Sequence, residues 1–160
     1  MDDYRDKIKS LEDLIREIQH LKTQGRSVVF TNGCFDILHP GHTRYLWQAR
    51  QLGGYLVVAV NSDRSVRAIK GAERPVVPQD ARAEVLAALG FVDAVVIFDE
   101  ETPLRVIKAL LPHVLVKGGD WPEDSIVGAE VVKRAGGEVR SIPFVEGHST
   151  TSILEKIRRL

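Results

Sequence analysis

The chain has a single cysteine among its 160 residues. Cys34 therefore cannot form an internal disulfide, and such sparse usage fits a reducing compartment. Net charge is also missing, because 22 lysines and arginines balance 22 aspartates and glutamates. Whole-chain charge thus selects neither nucleic acid nor a membrane surface as a partner. No apolar run is long enough to cross a bilayer. The start, Met1-Asp2-Asp3-Tyr4, is acidic and lacks the apolar core of a signal peptide. A soluble, cytoplasmic protein is the expectation. Internal repeats, low-complexity tracts and linkers are absent too. One domain over 1–160 is expected, with a helix over 1–25 that packs as an addition to a core over 26–160.

What is present is an alternation of helical and apolar segments. Ser10 opens a helix with Asp13 three residues on, a capping-box pattern, and Leu11, Leu14, Ile15, Ile18 and Leu21 recur at helical spacing up to Gly25. Strands are predicted over Val28–Thr31, Tyr55–Val60, Ala94–Phe98, Val114–Val116 and Val139–Ile142. Helices are predicted over Gly41–Leu52, Ala81–Leu89, Ala129–Ala135 and Thr151–Arg159, the last capped by Ser149. Another runs to Leu111 with Thr102 as its cap and Pro103 at its first position. The stretch from Ser62 to Pro78 reads as a polar loop, rich in Arg64, Arg67, Lys70 and Arg74. The strands are near-continuous apolar runs, which argues for a parallel sheet buried on both faces. The predicted fold is α/β, a Rossmann-like, doubly wound parallel five-stranded sheet with helices on both faces.

The most chemically loaded stretch is Thr31-Asn32-Gly33-Cys34-Phe35-Asp36-Ile37-Leu38-His39-Pro40-Gly41-His42. It links the first strand of the core to a helix, at the sheet edge where open α/β folds bind ligands. A helix start offers free backbone N–H groups to an anion, and Gly41 permits close approach. His39 and His42, three residues apart, can face one anion and donate to phosphate oxygens. Only two such ligands are evident, which is too few for a zinc site. Lys70-Gly71 offers a cation on a mobile segment that can close over a polyphosphate. Lys117-Gly118-Gly119-Asp120-Trp121 follows the fourth strand, with Lys117 a cation and Asp120 a candidate for a sugar hydroxyl or base amino group. Gly147-His148-Ser149-Thr150-Thr151 brings three hydroxyls to a second helix start, which favours a phosphate site. Cys34 has no base to activate it and reads as a small buried residue. Asp36 reads as an organiser of its loop. The first strand is not followed by G-x-G-x-x-G, so a dinucleotide oxidoreductase is disfavoured.

The stretch ending in His39-Pro40-Gly41-His42 resembles the HxGH signature of the cytidylyltransferase-like nucleotidyltransferase superfamily. Asn61-Ser62-Asp63, Lys70-Gly71, Arg74-Pro75, Lys117-Gly118-Gly119-Asp120 and Ser149-Thr150-Thr151 are similar in order and spacing to the adenylyltransferase domain of ADP-heptose synthase. The resemblance covers about Val28 to Ile157. Without a sugar kinase in this sequence, it points to a stand-alone form, with a separate kinase in the pathway. It implies transfer of AMP from ATP to a sugar 1-phosphate, D-glycero-D-manno-heptose 1-phosphate in the first instance, with release of pyrophosphate. ATP would lie across the crevice between the first and fourth strands, with Mg2+ held by phosphates and water and no direct protein ligand.

The resemblance also implies residue roles. His39, His42 and Lys70 would be catalytic. Thr31, Asn32, Gly33, Cys34, Phe35, Gly41, Arg82, Lys117, Gly118, Asp120, Ser149, Thr150 and Thr151 would bind nucleotide, Arg82 lying near phosphate. Asp36, Asn61, Asp63 and Arg74 would bind the sugar phosphate. A homodimer is expected, and neither nucleic acid nor membrane is expected as a partner. Two other readings remain open. One is a cytidylyltransferase acting on glycerol phosphate or a similar alcohol, or the same chemistry on a pantetheine or flavin precursor. The other is a non-catalytic nucleotide-binding module. Related glycerol-3-phosphate cytidylyltransferases carry an arginine five residues before the hydroxyl run, where this sequence has Phe144.

Overall fold

The computed structural model describes residues 3–160; Met1 and Asp2 of the acidic N-terminus lie outside the described residues. After a short 3-10 turn at Tyr4–Lys7, helix α1 spans Leu11–Thr23. Strands β1 (Val28–Gly33), β2 (Tyr55–Asn61), β3 (Ala94–Phe98), β4 (Val114–Gly118) and β5 (Glu138–Ile142) form one sheet. Helices α2 (Pro40–Arg50), α3 (Asp63–Lys70), α4 (Gln79–Ala87), α5 (Leu104–Leu110), α6 (Ala129–Arg134) and α7 (Thr150–Arg158) complete the chain.

All four strand pairings are parallel, in the order β3-β2-β1-β4-β5. This is the five-stranded, helix-covered α/β sheet expected from the apolar runs. Successive residues of β1 bury on opposite faces. Val28 and Phe30 join Leu14 and Ile18 of α1, Ile107 of α5 and Val132 of α6. Val29 instead joins Leu46 and Ala49 of α2 and Leu86 of α4 on the other face. Each such side chain, fully removed from water, contributes about 1.5–3 kcal/mol. The chain leaves β1 toward β2 on one side and returns to β4 on the other. The strand order therefore reverses between β1 and β4, and a crevice opens at their carboxyl ends, beyond Gly33 and Gly118.

Three expectations need correction. Helix α1 is not an addition outside the core, because Leu14 and Ile18 are fully buried against the sheet. The capping box at its start is real, with Ser10 accepting from the Asp13 N–H and donating to its carboxylate. The segment after β2 is not all loop. Ser62 caps α3 through the Ser65 N–H, Val66 is buried, and the arginines face outward. Thr102 does not cap α5. Pro103 stands at the N-cap with no side-chain cap bond, and helix begins at Leu104.

Candidate active site

The turn between β1 and α2 is built from both ends. Gly33 has no Cβ, and one placed there would sit 3.0 Å from the Phe35 ring. Phe35 itself adopts a left-handed backbone with φ of 49°, an uncommon conformation for a bulky residue and one that clusters at functional sites. The segment after α3 clamps this turn. The Asp36 carboxylate accepts from the Val76 and Val77 N–H groups and from Arg74, whose Nε lies 2.6 Å away. Burial alone would raise the Asp36 pKa, yet these bonds bring it below the usual carboxylate value. Arg82 is buried and donates to the Cys34 carbonyl, the Val77 carbonyl and the Asp63 carboxylate.

The turn delivers its histidines to the mouth of the crevice. His39 is the N-cap of α2, and its Nδ1 accepts from the Gly41 N–H at 3.1 Å. A ring nitrogen that accepts carries no proton, so neutral His39 bears its hydrogen on Nε2. The His39 and His42 rings stack with centroids 3.9 Å apart. Phe35 meets His42 edge-on, and His148 lies nearly parallel to His39 with centroids 6.3 Å apart. Burial lowers the pKa of His39, and the neighbouring His148 adds to the effect. Burial pushes His42 down to about 4, with His39 contributing. Both rings are therefore neutral near pH 7. The Nδ1 of His42 is buried with no hydrogen-bond partner among the described residues, a costly state for a polar atom.

Across the crevice, Lys117 ends β4 half-buried. Burial lowers its pKa, and the positive charge of Lys70 lowers it further. Lys70, the last residue of α3, is exposed and lies close enough to act on both Lys117 and Cys34. Gly119, at φ +110°, lets the rings of Phe144 and Trp121 close over the end of β4; a Cβ there would sit 2.9 Å from each. Ser149 caps α7 through the Ser152 N–H, and the Thr150 hydroxyl donates to the Ile37 carbonyl, tying α7 to the β1–α2 turn. The N–H groups of Thr150 and Thr151, at the first two helical positions, have no intrahelical acceptor.

The sequence-derived residues thus divide. His39, His42, Gly41, Lys70, Lys117, Gly118 and Ser149 to Thr151 gather around the carboxyl ends of β1 and β4. Asp120 projects to solvent beside them. Others are committed inside the protein. Thr31 is buried and hydrogen-bonds Tyr45, Asn61 donates to Ser65, and Asp63 pairs with Arg82. Arg82 is buried and spends three of its five N–H donors on Cys34, Val77 and Asp63, so it organises the turn. The α2 start also differs from expectation. The Gly41 N–H is taken by His39 and the His42 N–H by the His39 carbonyl, leaving the imidazoles as its donors. Cys34 is half-buried, and burial raises its thiol pKa. Sequence reading passed over His148; an imidazole one residue before a capping serine was the signal available. Among the described residues no group of three or more His, Cys, Asp or Glu side chains could hold a metal ion, and no helix is long and apolar enough to span a membrane.

A switch-point crevice flanked by paired imidazoles, lysines and a hydroxyl-rich helix start defines an α/β nucleotidyltransferase. The cytidylyltransferase-like family profile matches residues 30–156, and the chain belongs to that family. It is 57% identical over 152 residues to the bifunctional protein HldE of Geotalea uraniireducens, covering 95% of this chain and 31% of that one. It is 54% identical over 151 residues to the bifunctional protein HldE of Geobacter sulfurreducens, covering 94% and 31%. The chain thus spans about a third of the length of these relatives. Among solved structures it is similar to a lipopolysaccharide core biosynthesis protein from Thermoplasma volcanium. That match has 27% identity and a TM-score of 0.61, and covers 78% of this chain and all of the other. The fold alone is shared with pantoate-beta-alanine ligase from Francisella tularensis. There the TM-score is 0.62 at 16% identity, over 96% of this chain and 78% of the other.

Proposed function

We propose that these residues act as one adenylyltransferase unit, moving AMP from ATP to a sugar 1-phosphate and releasing pyrophosphate. The observation that carries this reading is the imidazole array at the β1–α2 junction, beside the start of α7 and at the mouth of the β1/β4 crevice. A phosphate oxygen of the acceptor attacks the α-phosphorus of ATP in line. The bond from that phosphorus to the bridging oxygen breaks, and pyrophosphate departs. No protein nucleophile is needed, so positioning and charge stabilisation supply the rate. His39 and His42, stacked on one another, both donate to the reacting phosphate, His39 through Nε2–H. Lys70 and Lys117 neutralise the polyphosphate, and the free N–H groups and hydroxyls of α7 hold its outer end. Magnesium would be held by the triphosphate and water without a direct protein ligand, and would supply charge neutralisation there.

Phe144 stands where related cytidylyltransferases carry an arginine, which favours ATP over CTP. The Lys117–Asp120 and Ser149–Thr151 blocks support heptose 1-phosphate as the acceptor. A neighbour named as a lipopolysaccharide core biosynthesis protein supports it too. The acceptor's anomeric phosphate must be installed by a phosphoryl transfer that precedes this reaction. Pyrophosphate release, measured over sugar 1-phosphates with ATP and CTP in parallel, is the test. Turnover with ATP and a heptose 1-phosphate supports the reading. A clear preference for CTP, or ATP binding without turnover on any acceptor, contradicts it.

A further inference from the structure

We infer that the cavity between the end of α3 and helix α7 recognises the sugar of the acceptor. The inference rests on the adenylyltransferase reading above. This cavity has a volume of about 340 Å³, and its lining includes Lys70, Glu73, Arg74, Thr151, Glu155 and Arg158. Its size lies at the low end of small-molecule pockets and is enough for one sugar ring. The lining contains no aromatic side chain, so it offers nothing for a base to stack on. It offers carboxylates that accept from hydroxyls and cations that donate to them, the chemistry of a polyhydroxylated anion.

At one end the cavity is lined by Lys70 and Thr151, two of the residues set around the crevice. Lys70 lies close enough to Cys34 and Lys117 to act on their charges, and Thr151 is in the first turn of α7. Arg74 is held in place by Asp36. At the other end Arg158 reaches Glu73 at 3.2 Å, joining the last turn of α7 to the segment after α3. That pair is exposed, so it contributes little to stability and can exchange partners at little cost. The phosphate end of the acceptor meets Arg74, held by Asp36 beside the β1–α2 turn, which leaves Lys70 and Thr151 to the nucleotide. The ring hydroxyls meet Glu73, Glu155 and Arg158, which thereby select among sugars.

The test compares Glu155→Gln and Glu73→Gln with the unaltered chain, using heptose 1-phosphate at saturating ATP and calorimetric titration with ATP alone. Both substitutions keep size and shape at exposed positions. The acceptor KM is expected to rise about ten- to a hundredfold, the effect of losing a hydrogen bond to a charged group. ATP affinity is expected to stay unchanged. Normal turnover with an unaltered acceptor KM in both variants overturns the assignment of this cavity alone. Absence of turnover by the unaltered chain on every sugar 1-phosphate overturns the adenylyltransferase reading, and the cavity assignment with it.

Discussion

His42 carries the most specific chemistry of any single residue in this chain. It lies between Phe35 and His39 with a buried ring nitrogen left unpartnered. His42→Ala is expected to lower the rate of pyrophosphate release by two to three orders of magnitude, roughly the effect of removing one preorganised donor to a transition-state oxyanion. Near-full turnover would contradict its role. The same residue makes stability depend on pH. Its pKa falls from 6.5 to about 4 on folding. Between those values the unfolded chain binds more protons, so this contribution is complete above pH 6.5 and is lost as pH falls toward 4. Denaturant midpoints measured at pH 7 and pH 4.5 should therefore differ less in His42→Asn than in the unaltered chain; an equal drop in both would contradict the assignment. Arg82 is a structural counterpart. Arg82→Met leaves the Cys34 and Val77 carbonyls and the Asp63 carboxylate without their donor. A loss of about 3 kcal/mol is expected in urea unfolding, the low end for a broken buried pair, since the Asp63 side chain keeps 27% exposure. A loss below about 1 kcal/mol would contradict it.

At the scale of elements, local signals were legible and long-range ones were not. Ser10 and Ser149 announced helix starts because a cap acts over three residues. The five strands were legible because parallel strands must be apolar on both faces. Helix α3 escaped because it has only eight residues, with Val66 as its one buried aliphatic side chain among outward arginines. Its composition is that of a loop, and only the Ser62 cap marks it. That cap carries a prediction. Ser62→Ala is expected to cost about 1 kcal/mol, and loosening α3 should raise the KM for ATP, because Lys70 is its last residue. Pyrophosphate release at varied ATP checks this, and an unchanged KM would mean that Lys70 does not reach the nucleotide. The pairings Asp36–Arg74 and Cys34–Arg82 were not legible. Their partners stand 38 and 48 residues apart, and only the fold decides that they meet.

The whole molecule explains why the site lies where it does. The order β3-β2-β1-β4-β5 reverses direction between β1 and β4, and the histidine turn and the Lys117 segment leave the sheet on either side of that point. The α/β class followed from the alternating elements, since right-handed crossovers admit few arrangements, and the crevice between the first and fourth strands followed from the family resemblance. The division of site residues did not follow. Which polar side chains face the crevice and which hold the turn behind it depends on packing, so Asn61, Asp63 and Arg82 read as ligands until their internal partners were seen. The central claim is that a triphosphate bridges the starts of α2 and α7. A crystal structure of the chain with magnesium and a non-hydrolysable ATP analogue tests it most directly. The expected result is an α-phosphate against Nε2 of His39, with the outer phosphates at Ser149 to Thr151. A nucleotide bound elsewhere, with both imidazoles turned away from its phosphates, would contradict it.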